Sequence, residues 1–416
     1  MATLDSICSR VSSGGTPSRK RAEFFTADVG GHLWVKSKEL LDCAIDDTEE
    51  KISLEGLNNS AAKYFPEHSV LIAMYGANVG QLGWLRRRAT VNQAICGLVI
   101  DESQADWRFV FYALLHTRGD LTIQAQGAAQ QNLNQDLVRQ FAIPLPPLPL
   151  QRRIAGILSA YDELIENCQR RIRILEAMAR ALYREWFVHL RFPGHETHPR
   201  VASAIGEFPK GWDVAKLGDH LAALESGKRP RGGIRDVEDG VPSIGAENID
   251  GIGRHNFAGE KFIPREFFQG MRSGVVRDRD VAVYKDGAYI GKSSYFRDGY
   301  PHAECCVNEH VFLLRADGDR LKQNALYLWL QEPDTVQVIR SKNANAAQPG
   351  INQQTIGGLE LILPDEHTAA HFDTLIESPL AQIINLFKQI KNLRLTRDLL
   401  LPRLLSGQVE VDVGAA

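Results

Sequence analysis

The sequence lacks the features of a membrane or secreted protein. No run of about 18 apolar residues is present, which argues against a membrane-spanning helix. The N-terminus, MATLDSICSRVSSGG, does not have the charged-then-apolar form of a signal peptide. The six cysteines are scattered, without a CxxC pair. These absences predict a cytoplasmic protein with reduced thiols.

Motifs for catalysis are missing as well. The sequence contains no GxSxG, Walker, HExxH or strand-associated GxGxxG motif. A methyltransferase acting on base amino groups is expected to carry an Asn/Asp-Pro-Pro-aromatic tetrapeptide. The Pro-Pro pair of this chain, Pro146-Pro147, lies instead in LPPL. We therefore predict no catalytic residues and no cofactor.

Two histidine-containing segments lack the spacing of a metal site. His195 and His198 lie three residues apart with no further ligand evident. The vicinal pair Cys305-Cys306 lies beside His302, but a second Cys/His pair is absent. Such a pair is more typical of a buried strand edge. No metal site is predicted.

Size and charge indicate a globular chain with more than one domain. The 416 residues are 44% hydrophobic and 24% charged, and the formal net charge is −3. A slightly negative chain is a poor candidate for a non-specific nucleic-acid coat, although local positive patches remain compatible with it.

The most pronounced feature that is present is an apolar seam in residues 150–190. Its steps alternate between four and three residues, the 3.5-residue period of a coiled coil. A helix of about 40 residues is about 60 Å long and needs a partner helix to bury such a seam. The seam consists of Ile154, Leu158, Tyr161, Ile165, Cys168, Ile172, Leu175, Ala179, Leu182 and Trp186.

The chain supplies a second seam at an offset of 218 residues. Pro379 is expected to break this second helix, giving a short helix near 366–377 and a long one near 380–405. Arg397 is a further interruption of the apolar pattern. The seam positions are Phe372, Ile376, Ile383, Leu386, Ile390, Leu393, Leu400 and Leu404.

The same offset relates segments upstream of the helices. AAQQNLN at 128–134 matches AAQPGIN at 346–352, and VNQ at 91–93 matches VNE at 307–309 after a small drift. These matches indicate an internal duplication. The predicted fold class is α+β: two similar globular α/β domains joined by two long antiparallel coiled-coil helices, with pseudo-twofold symmetry. The predicted segments are a first globular domain at 1–149, a central helix at 150–190, a second globular domain at 191–365 that begins with a connection at 191–212, C-terminal helices at 366–407 and a tail at 408–416.

Each repeat also carries the side chains that read DNA bases. Arg and Lys bind guanine, and Asn and Gln bind adenine. Two similar domains held apart by a rigid spacer suit two separated half-sites on a duplex, and the divergence of their loops predicts unlike half-sites. Two alternatives remain open: an enzyme with unrecognised motifs, and a protein scaffold without DNA readout. Structural roles are also open for Arg86–Arg88, as a solvated hairpin edge, and are favoured for Gln130, Gln131, Asn132 and Asn134, as capping and turn residues.

The order of these motifs resembles a known family. SGGTPSR, YGANVG, VNQA, AAQQNLN and IPLPPLPLQRRIAGIL precede a long heptad helix, and the series recurs once in diverged form. This is similar to the specificity subunit of type I restriction-modification systems, across essentially the whole chain. The resemblance implies a non-catalytic subunit whose two target recognition domains each read one half of a split site on double-stranded DNA.

The resemblance also implies the partners. The long helices are expected to set the spacing between the two half-sites and to dock two modification subunits, which methylate adenine N6. Restriction subunits are expected to join the complex and to cleave DNA. Within this interpretation we predict DNA contacts on Gly-flanked loops and on the arginine run. They are Thr16, Arg19, Lys20, Arg21, Tyr75, Asn78, Arg86, Arg87, Arg88, Lys228, Arg229, Arg231, Tyr284, Lys285 and Tyr289.

Overall fold

The computed structural model describes residues 1–126, 132–203, 206–234, 237, 239–342 and 350–412. The chain divides into two compact units. The first unit comprises Met1–Ile165 with Asn392–Ala416, and the second comprises Glu166–Lys391. Each unit contains one globular body and a part of both long helices.

The first unit is built on two five-stranded sheets. The larger sheet has the order Cys8–Ser13, Ile95–Ile100, Val70–Ala73, Leu82–Leu85 and Cys43–Ile45. The order of the other is Phe25–Thr26, Lys51–Ile52, His32–Val35, Ala89–Val91 and Tyr64–Phe65. Its helices are Leu4–Ile7, Leu54–Asn58, Trp107–Gln126 and Gln135–Gln140, and Ala2–Thr3 pairs with Ala142–Ile143.

Burial explains the central strand of this unit. All four residues of Val70–Ala73 are buried, as expected for an apolar run covered on both faces. Phe109 and Val110 of the helix Trp107–Gln126 share a core with Val70 and Ile72. Packing on both faces therefore fixes the position of this strand, and with it the positions of the loops at its two ends.

The second unit contains a four-stranded antiparallel sheet and a three-stranded sheet. The first has the order Leu221–Ser226, Val311–Ala316, Val281–Tyr284 and Ser293–Tyr295, and the second Phe262–Ile263, Val241–Ile244 and Cys306–Val307. Two further strand pairs are Arg200–Ser203 with Gly206–Pro209, and Asp213–Lys216 with Glu360–Leu363. The helices are Arg265–Gln269, Gln323–Gln331, Pro333–Ser341 and Gln353–Gly357. Cys306 is buried in its strand, so the prediction of a buried strand edge is confirmed.

The two bodies repeat one topology. In each body, a strand that follows a short helical turn pairs with a strand that comes later in the chain. This later strand also pairs with a third strand, and a 3₁₀ turn follows the third strand. Each smaller sheet contains one parallel pair, Ala89–Val91 with His32–Val35 and Cys306–Val307 with Val241–Ile244. The duplication and the predicted fold class are therefore confirmed.

The two long helices are Leu148–Tyr183, followed by a wider π turn at Arg184–Val188, and Glu366–Leu405. Within the second unit, Cys168 lies by Gln389 and the Tyr183 ring contacts the Phe372 ring, so the helices run antiparallel there. Most seam side chains are buried, and the others are half-buried. The buried members are Ile154, Leu158, Ile165, Cys168, Ile172, Ala179, Trp186, Phe372, Ile376, Ile383, Leu386, Ile390 and Leu404, and the half-buried ones are Tyr161, Leu175, Leu182, Leu393 and Leu400. Among the described residues, no helix has both the length and the apolarity needed to cross a membrane.

The predicted helix break at Pro379 is wrong. Glu366–Leu405 is one helix through this position. A proline inside a helix costs about 3 kcal/mol or more, because it removes one hydrogen bond and crowds the preceding turn. Ile376 and Leu380 are both 1% exposed on either side of it, so the burial of this seam outweighs the local cost.

Arg397, the polar interruption of the seam, has a partner in the first unit. Its guanidinium donates to Asp162, which also accepts from the Tyr112 hydroxyl. Burial alone would lower the pKa of Arg397, but Asp162 and Asp398 raise it above its usual value. The seam thus contains a half-buried ion pair at the position where Arg397 interrupts the apolar pattern.

Candidate nucleic-acid interface

The first unit gathers four loops at one end of its larger sheet. Ser13 pairs with Cys96 there, and Ala73 pairs with Ile95. Backbone hydrogen bonds tie the loops together: Met74 N–H donates to Ala94, and Leu133 N–H donates to the Met74 carbonyl at 3.0 Å. We name residues 14–16, 75–78, 92–94 and 132–135 the first loop cluster. Gln130 and Gln131 lie outside the described residues.

Asparagine capping explains one part of this cluster. Asn134 accepts a hydrogen bond from the Leu137 N–H at 2.8 Å and so caps Gln135–Gln140. In the second unit, Asn352 accepts from the Thr355 N–H at 2.8 Å and caps Gln353–Gly357. The capping interpretation of Asn134 is confirmed, and the matching amide segments have the same local role.

The exposed side chains of the first loop cluster come from a tight turn. Tyr75 is 39% exposed and precedes the 3₁₀ turn Gly76–Asn78. Gly76 has a φ of +77°, a conformation that favours glycine. Thr16 donates a hydrogen bond to Gln93, which joins the small-residue loop to the loop before strand Ile95–Ile100. Gln93 was missed by our sequence analysis, although the VNQ–VNE match contains it.

Two of the three basic residues after Thr16 already have carboxylate partners. Arg19 pairs with Glu50 at 2.6 Å and lies over the Phe25 ring. Arg21 pairs with Glu23 and Glu55, each at 2.7 Å. Lys20 is exposed, and within the described part of the chain it has no ion pair. Only Lys20 of these three therefore offers an uncompensated positive charge.

The predicted arginine run lies at the other end of the larger sheet. It follows Leu85, whose N–H donates to Ser69 just before strand Val70–Ala73, whereas Tyr75 lies just after this strand. A four-residue strand spans about 13 Å. Arg86–Arg88 and Tyr75 therefore do not form one contiguous site.

Each arginine of the run has a local contact. Arg86 pairs with Asp46 at 3.2 Å, and Arg87 donates to the Asp46 carbonyl at 2.6 Å. Arg88 lies over the Tyr64 ring at 5.0 Å. Arg87, Arg88 and Arg10 line an open cavity of about 690 Å³ together with one acidic residue, Glu67. Three arginines against one carboxylate give the lining an excess of positive charge, which suits an anion such as a phosphate group.

The second unit brings most of its predicted residues together. Lys285 N–H donates to His310, and the Lys285 ammonium lies 3.5 Å from the Ser226 hydroxyl. Arg229 pairs with Glu309 at 2.9 Å. Ile351 N–H donates to the Lys285 carbonyl at 2.9 Å. We name residues 226–229, 284–289, 308–310 and 350–351 the second loop cluster.

Aromatic and acidic side chains accompany the cations of the second loop cluster. The Tyr284 ring lies 6.3 Å from the Tyr289 ring, and Tyr289 is 57% exposed. His310 contacts Asp286 at 2.7 Å and Glu309 at 3.2 Å. Burial raises the pKa of Tyr284, and the negative charge of Asp286 adds to this effect. Tyr284 therefore stays protonated at neutral pH and is able to donate a hydrogen bond.

The loop clusters share one turn and differ in its side chains. Gly76 and Gly80 have φ angles of +77° and +81°, and Gly287 and Gly291 have +62° and +83°. The segment YGANVG therefore corresponds to DGAYIG at 286–291. Asp286 occupies the position of Tyr75, and Tyr289 that of Asn78. Asp286 and His310 were missed by our sequence analysis, although an alignment of the two glycine pairs locates Asp286.

Lys228 and Arg231 extend this cluster as exposed cations. In the described ranges neither of them has an ion pair, in contrast to Arg229. Lys228 adjoins Gly227, where an added Cβ would lie 1.7 Å from the Val307 carbonyl oxygen. The backbone at Gly227 therefore packs closely against Val307, which fixes the start of the loop that carries Lys228 and Arg231.

Comparison with known proteins agrees with this architecture. Residues 2–177 match the family described as type I restriction modification DNA specificity domain. The chain is 23% identical over 407 residues to the type I restriction enzyme MjaIX specificity subunit of Methanocaldococcus jannaschii, spanning 97% of this chain and 91% of that protein. Residues 2–177 thus belong to the family of this DNA specificity domain, and the chain is similar over nearly its whole length to a type I specificity subunit.

Further similarities within this family are more limited. The EcoR124I/EcoR124II specificity subunit of Escherichia coli is 25% identical over 160 residues, which cover 37% of this chain and 39% of that protein. The crystal structure of a type I restriction-modification S subunit from M. genitalium has a TM-score of 0.57 at 16% identity, with 97% of this chain and 95% of that chain covered. The structural match shows that the fold is shared.

Proposed function

We propose that this chain is the DNA sequence-specificity subunit of a type I restriction-modification complex. The first loop cluster reads one half of a bipartite site on double-stranded DNA, and the second loop cluster reads the other. The two halves differ in sequence. The subunit itself is non-catalytic, and its partners methylate adenine N6 and cleave DNA. It acts in the cytoplasm, where it meets the chromosome.

The observation that carries this proposal is the shared turn with exchanged side chains. Tyr75 and Asn78 in one unit correspond to Asp286 and Tyr289 in the other, on turns with the same glycine conformations. Tyrosine, asparagine and aspartate can all hydrogen-bond to base edges, with different preferences. The same turn conformation with different polar side chains is what we expect of two domains that recognise unlike DNA sequences.

The basic residues divide into two proposed roles. Lys20, Lys228 and Arg231 are exposed cations without an ion pair in the described residues, and they suit phosphate contacts next to the reading loops. Arg87 and Arg88 lie at the far end of the sheet and are proposed to bind phosphate rather than bases. Arg19, Arg21 and Arg229 are already neutralised by carboxylates, so we propose that they mainly position their loops.

The long helices are proposed to set the spacing and to dock two modification subunits, with restriction subunits joining the assembly. In the first unit Leu395 and Leu399 are 59% and 54% exposed, and in the second Ile174 and Met178 are 53% and 56% exposed. Large apolar side chains that are exposed to solvent on otherwise polar helix faces support a protein-binding role.

A genome-wide map of adenine methylation tests this proposal. The map is recorded in the source strain with and without the gene, while the modification subunit is expressed. We expect deletion to remove one split motif made of two short unlike halves around a fixed gap. An unchanged map would favour the alternative of a protein scaffold without DNA readout.

A further inference from the structure

Three polar side chains converge in the second unit, away from the loop clusters. Among the described residues, His255, Glu260 and His302 form a set of three whose ligand atoms all lie within 4.8 Å of one another. Both imidazole Nε2 atoms face the same carboxylate oxygen, Glu260 Oε1, and the His302 contact is 2.6 Å. Three donor atoms thus point at one small volume.

The cluster is enclosed on one side and open on the other. The side chains of His255 and Glu260 are 3% and 10% exposed, while that of His302 is 23% exposed. The Phe257 ring lies 4.6 Å from the His255 ring and 5.7 Å from the His302 ring, and covers the cluster with an apolar face. A small ion would be able to enter past His302 and be shielded once inside.

In the described part of the chain, the ion-pair partners of Glu260 are the two histidines, with no lysine or arginine among them. A buried carboxylate without a cation is costly. On metal binding each imidazole would lose a proton from the Nε2 that now faces Glu260, and that nitrogen would become the ligand.

We propose that His255, Glu260 and His302 bind one Zn²⁺ ion. Two imidazoles and one carboxylate, with water in the remaining position, are a ligand set that this metal accepts. Donor atoms around tetrahedral zinc lie about 3.3 Å apart, given bonds of about 2.0–2.1 Å. The donor atoms of Glu260 and His302, now 2.6 Å apart, therefore have to separate by about 0.7 Å to reach this geometry.

The site would join two loops that also contact the second long helix. His255 and Glu260 belong to the connection between strands Val241–Ile244 and Phe262–Ile263, and His302 to the loop that precedes Cys306–Val307. Lys388 donates to the Asp298 carbonyl at 2.6 Å, and Lys391 lies over the Phe257 ring at 4.6 Å. The metal would be structural, and its effect is stability of the second unit rather than catalysis.

Metal analysis of the tag-free full chain tests this proposal. The protein is stripped with a chelator, dialysed against ZnSO₄ and then against buffer, and its zinc is counted by mass spectrometry. We expect one zinc per chain, lost in His302→Ala and in Glu260→Gln. His220→Ala is the matched control, because His220 is a half-buried histidine that contacts one carboxylate, Asp317, at 3.3 Å. It should retain the zinc.

Two further readouts separate this site from adventitious binding. Zinc at a hundredfold excess over its Kd should raise the Tm of the wild-type chain and the control by roughly 5–10 °C, and MgSO₄ should not. Cobalt substitution should give the visible absorption of a tetrahedral ion in the same two proteins. If His302→Ala and Glu260→Gln hold as much zinc as the wild-type chain, or if none of the proteins holds any, the cluster is a hydrogen-bonded triad and the proposal is wrong.

Discussion

The two globular bodies share the order of four strands in their larger sheets, but the loops at the ends of these strands carry different side chains. The first loop cluster presents Tyr75 and Asn78 with amides around them, whereas the second presents Tyr289 beside Asp286 and His310. The glycines that shape the turns have the same conformations in both. The backbone conformation of the turn is thus the same in the two bodies, while the polar side chains on it differ.

The helix contacts of the two units differ in the same way. In the first unit the ion pair Asp162–Arg397 joins the two helices, and Asp162 also accepts from the Tyr112 hydroxyl of the globular body. In the second unit aromatic rings surround Phe372, and Glu377 accepts hydrogen bonds from Arg279 at 2.6 Å and from Asn324 at 2.9 Å. Both helix pairs thus contact their globular bodies through a carboxylate, which pairs with an arginine of the other helix in the first unit and with an arginine of the globular body in the second.

Loss of the Asp162–Arg397 ion pair should have the largest effect. Arg397→Ala leaves the half-buried Asp162 without its cation, and we expect about 1.5–3 kcal/mol of destabilisation of the first unit. Calorimetry should show a lower transition for this unit and an unchanged one for the second. Arg394→Ala, an exposed neighbour on the same helix, is the control and should change stability by about 0.5 kcal/mol or less. Equal effects of the two variants would contradict a structural role for the pair.

Removal of a side chain that we propose to read bases should affect one half-site only. Tyr75→Ala should cost about 1–3 kcal/mol of binding and relax one position in one half. Tyr289→Ala should do the same in the other half. Methylation of oligonucleotide panels by the assembled complex measures both. A uniform loss across all sequences would show that the tyrosines support folding or phosphate contact instead.

Loss of a phosphate contact should weaken all sequences about equally. Lys228→Ala should lower the salt slope of DNA binding by about 1, because one counterion fewer is released. Arg19→Ala should have a smaller effect, since Glu50 already compensates its charge at 2.6 Å. Arg87→Ala should behave like Lys228→Ala. If Arg87→Ala changed one base preference and left the salt slope intact, the phosphate assignment would be wrong.

The network around Glu377 should give the second unit a pH dependence. Burial alone would raise the pKa of Glu377, but hydrogen bonds from Asn324 and Arg297 lower it below its usual value of 4.5. A lowered pKa in the folded state stabilises the fold above pH 4.5, and the stabilisation is lost as the pH falls through the folded pKa. The Tm deficit of Glu377→Gln should therefore be larger at pH 6 than at pH 3.

An exposed carboxylate provides the control for this pH dependence. Glu360→Gln replaces an exposed glutamate in strand Glu360–Leu363, and its Tm deficit should be small at both pH values. A deficit of Glu377→Gln that stayed constant between pH 6 and pH 3 would show that shape, rather than charge, is what the network requires.

Much of the architecture follows from periodicity in the sequence. The 3.5-residue seam and the 218-residue offset predict both helices and the duplicated bodies, because burial of a regular apolar stripe is a local property of the chain. Pro379 was misjudged because tertiary burial of Ile376 and Leu380 overrides a local propensity. A propensity rule contains no information about such distant partners.

The sites were harder to predict, since they depend on contacts between distant segments. The position of Arg86–Arg88 follows from the pairing of strand Leu82–Leu85 with Val70–Ala73, which no local pattern shows. The compensation of Arg19 by Glu50 links residues that are 31 positions apart. His255, Glu260 and His302 come from two separate loops and form no recognisable spacing.

A transplant of the reading side chains tests the central claim most directly. The double variant Tyr75→Asp with Asn78→Tyr gives the first turn the side chains of the second, and its methylation motif is mapped in a strain that expresses the modification subunit. We predict a change in one half of the motif, with the other half and the gap unchanged. A motif that is unchanged, or one that changes in both halves, would contradict the assignment of one loop cluster to each half-site.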